Sequence, residues 1–110
     1  MASDKVVIVS DANFDAEILQ STVPVLLDFT ATWCGPCQRI APLIDALADK
    51  QGARIKVCKL DIDNNPRAPM KFGVRGVPTL MLFDGGSQVA THVGALNGKQ
   101  LDDFVSKVLF

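Results

Sequence analysis

The sequence predicts an α/β sandwich, a mixed sheet with helices on both faces, and three observations carry that expectation. Apolar runs of strand length alternate with segments of helical period along most of the chain. Val25-Leu26-Leu27-Asp28-Phe29 is almost continuously apolar, as in a central strand covered on both sides. Asp84-Gly85-Gly86-Ser87 joins two later apolar runs through a glycine-rich turn, which places an antiparallel hairpin at one edge.

In chain order, Val6-Val7-Ile8-Val9 reads as a short β-branched strand. Ser10 and Asp11 then stand as N-cap candidates for a helix with Phe14 and Ile18 on one face. The strand Val25 to Phe29 follows. After Trp33-Cys34-Gly35-Pro36-Cys37 the period becomes helical, with Ile40, Leu43, Ile44 and Leu47 on one stripe. Pro42 lacks the N–H that would bond the carbonyl of Gln38, so a kink is expected there. Gly52 closes this helix and Ile55 to Leu60 form the next strand. Asn64-Asn65-Pro66 reads as a cap and a first-turn proline, opening a short helix that Gly73 ends. Thr79 to Phe83 and Gln88 to Val93 are the hairpin strands. Asn97 caps a last helix with Leu101, Phe104, Val105 and Val108 on one stripe. The order β-α-β-α-β-α-β-β-α puts parallel strands first and the hairpin at an edge.

The 110 residues are expected to form one domain, 1–110, with 48% hydrophobic residues available for a core. Eleven basic residues against 12 acidic ones leave a net charge of −1, which argues against a nucleic-acid partner. No apolar run approaches the ~20 residues that span a bilayer. Met1-Ala2-Ser3-Asp4-Lys5 lacks the profile of a secretory signal, so a soluble, cytoplasmic protein is expected.

Three cysteines make no disulfide framework, but two of them are separated by only two residues. In a reducing compartment that spacing points to redox chemistry or metal binding rather than a structural staple. Cys34 and Cys37 lie where a buried strand gives way to a helix. The free N–H groups and partial positive charge of a helix N-terminus favour thiolate over thiol. Cys34, first in the helix, is therefore the expected nucleophile; Cys37, one turn on, is expected to be more buried and to attack a mixed disulfide on Cys34. Gly35 permits close approach by a substrate backbone, and Pro36 stiffens the first turn without losing a needed N–H. The competing reading is a zinc site completed by Cys58 and His92. Cys58 sits mid-strand, and neither later ligand is paired at short spacing, so this reading is the weaker one.

Trp33-Cys34-Gly35-Pro36-Cys37, with Asp28 upstream and Val77-Pro78-Thr79 downstream, resembles the thioredoxin family. The likeness runs from Phe14-Asp15 through Pro42, Lys59-Leu60-Asp61 and Gly73-Val74-Arg75-Gly76 to Val93-Gly94-Ala95. It implies a five-stranded mixed sheet flanked by four helices and an activity, the reduction of protein disulfides. Asp28, a carboxylate in an apolar strand, has a bland reading as a strand-end aspartate held by Lys59; the resemblance implies instead that it is the buried acid/base that helps deprotonate Cys37, and tuned buried carboxylates concentrate at reactive sites. The resemblance further implies a cis Val77–Pro78 bond facing the cysteines, with the Val77 backbone pairing with substrate.

Trp33, Gly35, Pro36, Val77, Pro78, Gly94 and Ala95 are then expected to form a flat, weakly apolar docking face for extended substrates. Cys58 reads as a small buried apolar residue and His92 as structural. Thr30 and Gln38 depart from the pattern, standing where many bacterial relatives carry tryptophan and a basic residue. The resemblance implies no bound cofactor or metal. A monomer is expected. The implied partners are a thioredoxin reductase and disulfide-bearing clients of the ribonucleotide reductase, methionine sulfoxide reductase and peroxiredoxin classes. An oxidase or isomerase on the same fold is disfavoured by Gly35-Pro36, since a histidine in that dipeptide would make a stronger oxidant. A pure binding module on the same surface would survive loss of both cysteines.

Overall fold

The computed structural model describes residues 3–109. Five strands form one mixed sheet in the order β1-β3-β2-β4-β5. They are β1 (Val7–Val9), β2 (Val25–Thr30), β3 (Lys56–Asp61), β4 (Thr79–Asp84) and β5 (Ser87–Val93). β1 and β2 run parallel to β3, whereas β4 runs antiparallel to β2 and β5 antiparallel to β4. The helical segments are a π-helical turn (Asp15–Leu19), α1 (Gly35–Gln51), α2 (Arg67–Lys71) and α3 (Gly98–Val105), with a 3-10 turn at Gly52–Arg54. This is the five-stranded sheet with four helices that the resemblance implies, with the parallel strands and the edge hairpin that the pattern of apolar runs predicts.

Strand alternation divides the core in two. Leu26, Val57, Leu80 and Leu82 face α1 and α3, meeting Ile40, Ile44, Leu47, Leu101, Phe104 and Val105. Leu27, Phe29, Cys58, Leu60, Met81 and Phe83 face the other way, onto Phe14, Ile18 and Ala68 of the π-turn and α2 side. The central strands β2 and β4 are buried on both faces, which is why their sequences lack a polar alternation.

Local signals explain most element ends. Cys34 is the N-cap of α1 in an extended conformation, with proline in the first turn. It is thus the residue before the helix rather than the first within it. α1 continues through Pro42 to Gln51, and Gly52 ends it at φ +57°. Asn97 and Gln100 form a reciprocal capping box on α3. Gly86, at φ +84°, lets the β4–β5 hairpin lie against the π-turn, since a Cβ there would stand 2.8 Å from the Leu19 carbonyl oxygen.

Two cap assignments are corrected. Ser10 and Asp11 do not cap the first helix, whose N-cap is Phe14, without a side-chain bond. Ser10 pairs with Asn13, and the Asp11 carboxylate reaches α2, accepting from the Arg67 and Ala68 N–H groups at 2.9 Å each. Asn65, expected to cap α2, instead accepts from the Asp11 N–H at 2.8 Å. The orphan donors of α2 are satisfied from across the molecule because the loop after β1 ends beside them.

Candidate active site

The site lies where β2 ends and α1 begins, at the carboxyl end of the central strand. Ala31 to Trp33 lead from the strand to Cys34, and the Cys34 N–H donates to the Ala31 carbonyl at 3.2 Å. Cys34 and Cys37 are joined in a disulfide with Cα atoms 5.3 Å apart. The Cys37 N–H donates to Cys34 Sγ at 3.1 Å. One of the free N–H groups of the helix start therefore points at the first sulfur, the placement that stabilises a thiolate once the pair is reduced.

The expected difference in exposure between the two sulfurs is absent. Cys34 and Cys37 are each only 3% exposed in this oxidised pair. What separates them is their surroundings: Cys34 caps the helix, whereas Cys37 lines an open cleft together with Asp28. Ala31 completes the small buried cluster around the disulfide, and Ile62 and Val77 pack against it.

Asp28 is 1% exposed in the middle of β2. Burial pushes its carboxyl up from 3.8 to about 7, against the opposing pull of the Lys59 charge. Lys59 is its register partner on β3. The two form no ion pair within 4.0 Å among those of the described residues, so the bland reading of an aspartate simply held by Lys59 does not describe the geometry. Asp28 Oδ1 has no hydrogen-bond partner.

The Val77–Pro78 peptide bond is cis. The Thr79 hydroxyl donates to the Gly76 carbonyl at 2.7 Å, pinning the loop before this bond. The Gly94 N–H donates to the Pro78 carbonyl at 2.9 Å, which brings the end of β5 to the same rim. The residues expected at the docking face differ in exposure. Trp33, Gly35 and Ala95 are exposed, Pro36, Val77 and Gly94 are half-buried, and Pro78 is buried. Ala95 lies outside the apolar cluster around the disulfide.

Sequence reasoning missed two contributors from the loop after β3. Ile62 packs on the cysteine cluster, and Asp63 accepts from the Trp33 indole Nε1 at 2.8 Å. Trp33 is 67% exposed, so this bond sets the ring's orientation where packing does not. The only available signal was that both residues follow a parallel strand, where loops gather at the carboxyl ends.

The zinc alternative fails on geometry. Cys58 is fully buried in the cluster on the opposite face of the sheet from Asp28, and burial pushes its thiol up to about 12, with Lys56 pulling it down and Glu17 adding a smaller upward push. His92, on β5, meets Phe104 of α3 in a tilted contact, with ring centroids 6.0 Å apart.

Comparison with known proteins agrees with this architecture. The family model described as Thioredoxin matches residues 5–107. A thioredoxin of Pseudomonas aeruginosa is 50% identical over 103 residues, covering 94% of this chain and 95% of that one. A thioredoxin of Allochromatium vinosum is 48% identical, with 94% and 96% covered, and one of Acidithiobacillus ferridurans is 47% identical, with 97% and 99% covered.

Proposed function

The chain belongs to the thioredoxin family, an oxidoreductase family acting by dithiol–disulfide exchange, and from that premise we propose how its residues divide the work of reducing protein disulfides. Cys34 thiolate attacks one sulfur of a client disulfide, and the other client sulfur leaves with the electron pair. The mixed disulfide on Cys34 is then attacked by Cys37, whose proton passes to the Asp28 carboxylate while Lys59 tempers that carboxyl's affinity. The Cys34–Cys37 bond forms and the second client thiol is released. Two electrons have moved from the dithiol to the client.

The observation that carries this reading is the Cys37 N–H directed at Cys34 Sγ, with Cys34 at the helix cap and Cys37 beside Asp28. A carboxyl with a value near 7 exchanges protons readily at neutral pH, as a general acid/base must. Trp33, Gly35, Pro36, Val77, Pro78, Gly94 and Ala95 form the client-facing rim, and the Val77 main chain pairs with an extended client segment.

The family works with a reductase and with disulfide-bearing proteins. For this chain we infer a thioredoxin reductase, supplied by NADPH through a flavoprotein or by ferredoxin. The inferred clients are of the ribonucleotide reductase, methionine sulfoxide reductase and peroxiredoxin classes. The span 1–110 acts as one domain and as a monomer. Among the described residues no helix is long and apolar enough to cross a membrane. The inferred setting is the cytoplasm, where a pool of reduced thiols is maintained.

Insulin-disulfide reduction with the two single cysteine variants tests the assignment. C34S and C37S should both lose turnover, and C37S should accumulate mixed disulfides on Cys34. If C37S captures nothing while the parent protein turns over, the roles of the two sulfurs are wrong.

A further inference from the structure

A cleft of about 320 Å³ opens on the α2 face of the sheet, between β5 and the loop that leads from α2 to β4. In the β4–β5 register Thr91 stands opposite Met81 and Val93 opposite Thr79, so these four side chains share one face. Met81 and Thr79 are buried and form the floor, whereas Val93 is 72% exposed along one wall. Phe72 and Val74, half-buried in the loop, form the other wall. A volume near the low end of the roughly 300–1,000 Å³ of ligand pockets suits one or two side chains.

The cleft is continuous with the client-facing rim. Gly76 and Val93 line it, and their next neighbours in the chain, Val77 and Gly94, belong to the rim. Two hydrogen bonds fix that junction, from the Thr79 hydroxyl to the Gly76 carbonyl and from the Gly94 N–H to the Pro78 carbonyl.

Arg75 is the one charged residue on the lining. It is exposed and makes no ion pair among the described residues. The Lys71 ammonium lies 5.6 Å from the centre of the Phe72 ring, so a second positive charge stands beside the same wall. An apolar cleft with a cation at its mouth and no carboxylate on its lining fits an apolar side chain next to an acidic one.

We propose that this cleft is a second contact for client proteins, taking an apolar side chain from the segment beside the reacting cysteine while Arg75 receives a neighbouring carboxylate. The proposal rests on the reading of the chain as a protein-disulfide reductase and names the client segment it favours. An extended segment paired with the Val77 main chain turns alternate side chains to one face. A residue two to four positions from the client cysteine stands roughly 7–13 Å along such a segment, within reach of a cleft that begins at Gly76. Main-chain pairing accepts any sequence, so the cleft supplies discrimination that the rim lacks. These contacts hold the bound client and the transition state alike, and so act on KM rather than on kcat.

The test uses the full chain and symmetric disulfide dimers of a glycine–serine peptide with a single cysteine. The peptides carry Glu-Leu, Gln-Leu, Lys-Leu or Glu-Ser on the amino or the carboxyl side of that cysteine. For the parent, Leu in place of Ser should lower KM by about tenfold, and Glu in place of Gln by about two- to fivefold, with kcat unchanged. Only one side of the cysteine runs toward Arg75, so both effects should appear on the same side. In about 1 M salt, where the screening length falls to about 3 Å, the Glu advantage should fade and the Leu advantage should remain.

R75E should turn the charge preference around, favouring Lys-Leu over Glu-Leu. T91W and T91F, which fill the cleft from an exposed position, should erase the Leu advantage. Each preference is a ratio within one variant, so a general loss of activity does not imitate it. If the parent reduces all the peptides with one KM, the cleft is overturned and the reductase reading stands. The same holds if R75E keeps the parent's charge order or the filled variants keep the Leu advantage. If the parent reduces neither these peptides nor insulin, the reductase reading falls and takes the cleft with it.

Discussion

Asp28 and Lys59 stand side by side in register across the parallel β2–β3 ladder, one a carboxyl inside the core, the other a half-buried cation. The lysine's charge only partly offsets the desolvation of the carboxyl, whose value rises from 3.8 to about 7. Between those two values the folded chain keeps a proton that the unfolded chain has released. Stability therefore falls as pH rises through roughly pH 4 to 7 and is lower above it by up to about 4 kcal/mol. D28N removes the ionisation, so its urea midpoint should stay level across that window and exceed the parent's above pH 7. A parent midpoint that rises with pH through the window would contradict the sign.

The bond from Trp33 to Asp63 orients an exposed ring at the client-facing rim. D63A should free the indole, seen as faster fluorescence depolarisation. It should also lower kcat/KM for a protein disulfide by two- to fivefold, the equivalent of about 0.5–1 kcal/mol. The same substitution in a W33F background should have no further effect, since the acceptor then has no indole to hold.

Cys58 is sealed between β1 and β2, its register partners Val7 and Leu27, and burial holds its thiol near 12. In the reduced native protein at pH 7 a maleimide should label Cys34 and leave Cys58 untouched. Cys58 should react only after denaturation. Labelling of Cys58 at a rate comparable to Cys34 would mean that this half of the core opens on its own.

The Asp11 carboxylate bonds two N–H groups at the start of α2 from the loop after β1. D11A should cost about 1–2 kcal/mol in urea unfolding and speed hydrogen exchange at Arg67 and Ala68. D11N, which keeps one acceptor oxygen, should recover part of the loss. Equal stability of D11A and the parent would show that water caps α2 as well as the side chain does.

The redox pair was legible because its chemistry is local. Cys34, Gly35, Pro36 and Cys37 sit at a strand-to-helix junction that apolar period alone marks out, and the N-cap geometry follows from residues in direct succession. The buried stripes of α1 and α3 were legible for the same reason, with the difference that Leu43 is only half-buried at the edge of its stripe. The capping of α2 was not legible. Asparagine beside proline is a sound local signal, but the carboxylate of Asp11, more than fifty positions away, reaches the same donors with full charge.

Taken alone, the order of apolar runs and turns determined the α/β architecture, the hairpin at one edge and the identity of the reactive pair. Those properties depend on neighbours in sequence, where backbone sterics and hydrophobic period act directly. Tertiary structure alone decided that both cysteines are equally covered, that Asp63 holds Trp33, and that Asp28 is buried with an oxygen left unpartnered. Burial, field and empty volume are sums over segments far apart in the chain, and they take their values only when β2, β3 and α1 are packed together.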